Sequence, residues 1–362
     1  MTEIKRGSRR YPARSAAVVL CCVALVASAC SSSAKSKGSA GSGSKKGGLI
    51  GVSMVSQQVA RFVFEAKKIK DVATANGDQV IENFSNNNLQ TQISQIQSMM
   101  QRGIKVLILN ANDSKAFTPL ITQAQRKGVK VIAYDNDVDA KVDYVLTRNN
   151  VAMGAQQAQS LLDHLPSGRV AKVAIIRGDP ATPAEGEMGQ SYDKLIKNNP
   201  KIDIVYDTTT PGWDQATAQK EAEAALQKDP HLDAFLCMWD NCAQAVAQAL
   251  KASGKKPGQV WSTGSDASPA SLTYIAQGWQ GQTTWTAYDV MATDAANIAH
   301  AFITGATPPK KDATSPSGAP VLNPPLTSVT KANLCQWIKK QMPPGWTTTS
   351  QIFSGGAVNT CG

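Results

Sequence analysis

The residues of this chain best placed to do chemistry are Asp135 and Asn136, the polar end of the apolar run KGVKVIAYDN. A carboxylate beside an amide can pair with the hydroxyls of a small polar ligand. Signatures of bond-making chemistry are missing. There is no Gly-x-Ser-x-Gly elbow, phosphate loop or metal motif. GSAGSG has no strand before it and is no dinucleotide fingerprint. His164, His231 and His300 are scattered, and no Cys-x-x-Cys spacing occurs. No metal and no cofactor is expected, and the chain reads as a binder rather than an enzyme. Paired carboxylates in a cleft would also suit a glycosidase, which is the enzymatic rival.

The elements that position Asp135 and Asn136 can be read from spacing. Leu89, Ile93, Ile96, Met99 and Met100 share one helix face. Gly103 can take the left-handed conformation that ends that helix. Val106-Leu107-Ile108-Leu109 is an apolar run of the kind buried in a parallel sheet. Asp113 or Ser114 would cap a helix ending near Lys127-Gly128, and Val129–Ala133 is the next strand. In such open α/β sheets, ligands bind at the carboxyl ends of the strands. The same rhythm fills the chain: strands near 49–54, 79–84 and 144–146, then a second series near 171–176, 204–206, 234–237, 260–262 and 282–284. The helices of that series fall near 214–228, 241–252, 269–277 and 290–304. The fold class is α/β, with two halves joined near residue 149. The Pro-rich stretch 306–325 cannot be helix and reads as a return crossing. The tail from Leu326 onward gives the weakest pattern.

The net charge of +10 would suit a nucleic-acid partner, but residues 1–46 carry +8 of it. The remainder is nearly neutral and has no basic stripe with interleaved aromatics, so no nucleic acid is expected. Five basic residues precede the apolar run 16–26, and Ala27-Ser28-Ala29-Cys30 follows. This is a secretory signal, too short for a comfortable transmembrane helix. Its ending resembles a bacterial lipobox, which implies residues 1–29 as lipoprotein signal peptide, Cys30 as the lipidated residue and a membrane-anchored, extracytoplasmic protein. The alternative is an ordinary signal peptide cut near Ala29. Residues 30–48 are rich in Gly and Ser and read as a flexible tether.

From about Leu49 to Thr304 the sequence resembles the type I periplasmic binding proteins, especially the D-xylose- and ribose-binding proteins of bacterial ABC importers. The matching stretches are QISQIQSMMQRGIKVLILN, KGVKVIAYDN, LDAFLCMWDNCAQAVAQAL and TGSDASPASLTYIAQGWQGQTTW, in that order. The resemblance implies two Rossmann-like lobes with parallel sheets, joined by three hinge crossings. It places 49–149 plus about 288–320 in an N-terminal lobe and 150–287 plus about 321–362 in a C-terminal lobe. It also implies a monomer that holds a sugar between the lobes and delivers it to a permease. A sensor that docks on a signalling receptor is the alternative, since both would work by hinge closure.

The xylose-binding pattern carries over to Arg61-Phe62, Tyr134-Asp135-Asn136, Gly212-Trp213, Trp239-Asp240, Gly264-Ser265-Asp266 and Tyr288-Asp289. The implied ligand contacts are therefore Arg61, Phe62, Asp135, Asn136, Trp213, Trp239, Asp240, Asp266 and Asp289. Indoles would cover the sugar's C–H face, while carboxylates and the guanidinium would take its hydroxyls. Asn136, Trp239 and Asp289 depart from the pattern. Asn136 and Asp289 stand where it has cationic groups, which suggests a more negative cleft suited to an amino sugar. The bland alternative has Asp289 pointing outward and a neutral ligand. Each Asp alone could instead be a helix cap, and Trp213 a staple at a helix start. Beyond Cys21, Cys22 and Cys30, four cysteines remain: Cys237, Cys242, Cys335 and Cys361. An even number in an exported chain suggests disulfides, with three pairings open and the local ones simplest.

Overall fold

The structure, a computed structural model, describes residues 47–361 except 112 and 310. The signal peptide, Cys30 and most of the tether therefore lie outside the described residues. Gly47 and Gly48, expected at the end of the tether, are fixed in place: the Gly48 amide donates to the Asp78 carboxylate at 2.8 Å.

The first half alternates strand and helix: β1 (Leu49–Met54), α1 (Ala60–Ala75), β2 (Gln79–Phe84), α2 (Leu89–Gln101), β3 (Val106–Leu109), α3 (Thr118–Arg126), β4 (Lys130–Asp135) and β5 (Tyr144–Thr147). The second continues with α4 (Asn150–Leu162), β6 (Ala171–Ile176), α5 (Pro183–Tyr192), β7 (Ile202–Thr208), α6 (Gln215–Lys228), β8 (Ala234–Cys237), α7 (Asp240–Ala252), β9 (Trp261–Ser262), α8 (Pro269–Gln277) and β10 (Gln282–Thr286). Then come α9 (Tyr288–Thr304), β11 (Ala313–Thr314), β12 (Pro320–Leu322), β13 (Leu326–Thr330), α10 (Leu334–Lys340) and α11 (Thr349–Ile352).

Two parallel sheets result. One has the order β11-β12-β5-β4-β3-β1-β2, antiparallel only at β11, and the other the order β7-β6-β8-β9. The antiparallel pair β10-β13 joins the second through a bridge from Ser265 to Thr284. The chain passes between the lobes three times: after β5, after β10 and between β12 and β13. Each sheet reverses its strand order once, beside β1 and beside β6, and such switch points open crevices at the carboxyl ends of the strands. Helices cover both faces of the first sheet, with Phe62, Ile69 and Met291 on one side and Ile96, Phe117 and Ile121 on the other. Each such buried side chain contributes about 1.5–3 kcal/mol, which makes these contacts the main support of the sheet.

Two local expectations need correction, and one helix had no expectation set for it. The helix after Asp113 begins only at Thr118; Asp113 instead closes a turn by accepting from the amides of Lys115 and Ala116. Pro119 lies in the first turn of α3, where its missing N–H costs nothing. Helix α5 has a start signal in Thr182-Pro183-Ala184-Glu185, but Gly186 and Gly189 lower the propensity of its body and its periodicity is weak. It forms by packing on α4, where a Cβ on Gly154 would lie 2.6 Å from the Met188 carbonyl oxygen. The Pro-rich stretch is no bare crossing, since β11 and β12 extend the first sheet, β12 pairing in parallel with β5.

The cysteines pair locally, Cys237 with Cys242 and Cys335 with Cys361. The second bridge spans 26 positions and ties the tail into a loop. Replacing Cys335 and Cys361 by serine is expected to cost about 3–4 kcal/mol by the chain-entropy argument. Urea unfolding of the native and double-serine chains checks this.

Candidate ligand-binding cleft

The carboxyl ends of both sheets face one cavity of about 560 Å³, within the usual size of small-molecule sites, roughly 300–1,000 Å³. Arg61 reaches it from the first turn of α1. Asp135 and Asn136 come from the end of β4, and Arg148 stands just beyond β5. Across the cleft, Met238, Trp239 and Asn241 follow β8, Asp266 follows β9, and Trp213 stands just before α6.

The floor is a set of buried charges. Arg61 grips Asp135 with two parallel bonds, Nη1 to Oδ1 at 3.0 Å and Nη2 to Oδ2 at 2.8 Å. Arg148 Nε lies 2.8 Å from the same Oδ1. Asp266 Oδ1 accepts from Tyr288 Oη at 2.6 Å and from Arg148 Nη1 at 3.3 Å, and Arg61 Nε is 3.4 Å away. Two carboxylates and two guanidiniums thus compensate each other across the cleft. Burial alone would raise the Asp135 carboxyl, but the charges of Arg148 and Arg61 more than offset it and hold it below the ordinary range. Glu65, one helical turn after Arg61, lies 3.3 Å from its Nη1. Its carboxyl is pushed up to about 7, chiefly by burial, against the lowering effect of Arg61.

The walls are aromatic. Trp213 and Trp239 meet edge to face, with ring centroids 5.2 Å apart. Phe62 lies under the Arg61 guanidinium, whose carbon is 4.1 Å from the ring centre. Behind Trp213, Gly178 leaves the space the indole needs: a Cβ there would be 2.0 Å from the ring. Backbone strain also collects here. Of the six described non-glycine residues with positive φ, Asn87 (61°), Asp135 (70°), Trp213 (53°) and Asp266 (106°) line the cleft. Such conformations persist where the surroundings impose them, often at ligand sites.

Seven of the expected residues line this cavity: Arg61, Phe62, Asp135, Asn136, Trp213, Trp239 and Asp266. Two do not. Asp240 is buried behind the wall, accepting from Thr283 Oγ1 at 2.7 Å and from the Ser268 amide at 2.7 Å. Burial, and next the charge of Asp266, push its carboxyl up to about 7. Its neighbour Asn241 faces the cleft instead. Asp289 is kept out of the cleft by helix geometry. Successive helix residues point about 100° apart, so with Tyr288 turned to Asp266, Asp289 is turned away. Sequence reading missed Arg148, although its signal was available: it is a polar residue just past a strand end, as Asp135 is. Among the described residues no group of His, Cys, Asp or Glu could hold a metal ion.

Comparison with known proteins agrees with this geometry. The family description "Periplasmic binding protein domain" matches residues 50–307. The D-xylose-binding periplasmic protein of Escherichia coli (strain K12) is 32% identical over 247 residues, 67% of this chain and 73% of that protein. The multiple sugar-binding periplasmic receptor of Rhizobium radiobacter is 27% identical over 285 residues, covering 73% and 80%. Among solved structures, a carbohydrate transporter solute binding protein from Chloroflexus aurantiacus in complex with D-glucose superimposes with a TM-score of 0.73. It is 26% identical, and the alignment covers 83% of this chain and 97% of that one. Fold, cleft placement and family match converge: the chain belongs to the periplasmic binding protein family.

Proposed function

We propose that this protein captures a neutral monosaccharide or related polyol between its lobes and hands it to the permease of an ABC importer. The observation that carries the reading is the compensated floor of Arg61, Asp135, Arg148 and Asp266 beneath the indoles of Trp213 and Trp239. Charged donors and acceptors fixed against each other offer strong hydrogen bonds to hydroxyls without demanding a charged ligand. The indoles cover an apolar C–H face. Relatives named for xylose and for multiple sugars, and a structural neighbour holding glucose, support the same ligand class.

An amino sugar loses its rationale, because Asp240 and Asp289 stand outside the cleft and the two carboxylates of the floor are each paired. Retention at the membrane through lipidated Cys30 completes the proposal. Labelling with a radioactive fatty acid, lost in Cys30→Ser, checks that part.

A thermal-shift screen with pentoses, hexoses, polyols and amino sugars, followed by calorimetry, tests the ligand class, since a ligand of the native state raises the melting temperature. Binding of a neutral sugar or polyol is expected; binding of amino sugars alone would overturn the reading. Trp213→Ala should weaken the bound sugar by roughly 30-fold, as truncated aromatic anchors do, with a smaller change in melting temperature than a core truncation because Trp213 is only partly buried. Gly178→Ala should act in the same direction by displacing the indole.

A further inference from the structure

The C-terminal tail packs Trp337, Trp346 and Ile352 into a cluster with Trp285, Tyr288, Leu272 and Ile275. Most of this cluster belongs to the second lobe. Trp346 differs from its neighbours in two contacts. Its Nε1–H donates to the carbonyl of Ala267 at 2.8 Å. Its ring also meets Phe64 edge to face, centroids 5.2 Å apart and planes at 88°.

Both contacts lead to the cleft. Ala267 follows Asp266, and both hold positive φ, 47° and 106°. Alanine rarely adopts positive φ, and 106° lies beyond the left-handed region that aspartate tolerates, so something outside the turn must hold the pair. The Trp346 bond is one such restraint, and the Ala267 amide adds another by donating to Thr283 Oγ1 at 3.1 Å. This turn aims the Asp266 carboxylate at Arg61, Arg148 and Tyr288. On the other side, Phe64 sits on α1 within one turn of Arg61 and Glu65, and α1 packs on the first sheet. Trp346 therefore touches the carrier of Asp266 in one lobe and the carrier of Arg61 in the other.

We propose that Trp346 is a positioning residue of the cleft. Through Ala267 it fixes where Asp266 points, and through Phe64 it latches α1 to the second lobe, so the tail sets the distance between Asp266 and Arg61. The Cys335–Cys361 bridge holds the tail as a closed loop while it does so. The ligand-affinity arm of this inference rests on the reading of the cleft as a sugar site; the latch does not.

The test uses the full chain with its disulfides formed. Trp346→Phe keeps a ring but removes the N–H, Phe64→Ala removes the contact between lobes, and Trp337→Phe is a control in the same cluster without either contact. Affinity for the tightest neutral sugar of the panel is read by calorimetry, stability by urea unfolding and lobe separation by small-angle X-ray scattering without ligand. Trp346→Phe is expected to weaken binding roughly five- to tenfold, the loss of one buried hydrogen bond. Phe64→Ala should weaken binding and enlarge the ligand-free radius of gyration. Trp337→Phe should lower stability alone. Binding by Trp346→Phe within about twofold of native, or a loss matched by Trp337→Phe at equal stability, overturns the inference. If the native chain binds no sugar of the panel, the cleft reading fails, and the latch is judged by scattering: an unchanged radius in Phe64→Ala then overturns it. Should Trp346→Phe not fold, Phe64→Ala decides in the same way.

Discussion

Asp135→Asn is expected to lose about 3–5 kcal/mol of stability, the usual consequence of removing one partner from a buried ion set. Asparagine has nearly the same shape and tolerates positive φ, so the backbone at 70° is not disturbed. What changes is charge. Arg61 loses its two-pronged partner and Arg148 loses the oxygen 2.8 Å from its Nε, leaving two buried guanidiniums with too little compensation. Both then reorganise toward Asp266 and Glu65, and sugar affinity should fall by at least ~100-fold, because the donors no longer stand where the hydroxyls arrive. Urea unfolding and calorimetry on the same preparation measure the two losses. An Asp135→Asn protein as stable as the native one would mean that the floor is not held by these ion pairs.

The second large effect is with pH, and its sign follows from two buried carboxyls. Glu65 and Asp240 each titrate at about 7 in the folded chain, above their ordinary values of 4.5 and 3.8. Between the unfolded and folded values the native state keeps protons that the unfolded chain has released. Their stabilising contribution is therefore full at low pH, below the unfolded values, and is lost as pH rises through about 7. Stability is expected to fall from pH ~5 to pH ~8 by up to about 3 kcal/mol per group, since one such proton is worth about 1.4 kcal/mol for each pH step it spans. Asp135, held low by its arginines, works the other way and only in acid, where its protonation removes stability. Glu65→Gln should remove its share of the slope, and Glu65→Gln combined with Asp240→Asn should flatten it. A native chain whose urea midpoint does not change across that range would contradict both assignments. Glu65 faces Arg61, Asp135 and Tyr134, so its loss of a proton also changes the charge behind the cleft floor.

Much of the fold was legible because its signals are local. Strand runs such as Val106–Leu109 are apolar at every position, as buried parallel strands must be, and α2 shows its face in five residues. A capping carboxylate does not by itself mark a helix start: Asp214 caps α6 by accepting from the Thr217 amide at 2.7 Å, whereas Asp113 closes a turn ahead of α3. Helix α5 and the tail were not legible for the opposite reason. Two glycines weaken α5, and α10 and α11 are only 7 and 4 residues long. Isolated helices that short do not persist in water, so it is their packing partners that make them form.

The site divides along the same line. Local pattern was enough to say that polar residues end the strands, and so that Asp135, Asn136 and their like would stand at the cleft edge. Only the folded arrangement settles which residues look in: Asn241 lines the cleft where Asp240 is buried behind it, and Asp289 does not reach it, because one helical step turns a side chain by about 100°. It also settles the charge of the cleft. Arg61 meets Asp135 across 74 positions, and Arg148 meets Asp266 across 118. Such pairings leave no periodic trace in a chain, since they depend on which distant segments the fold brings together rather than on what any local segment prefers.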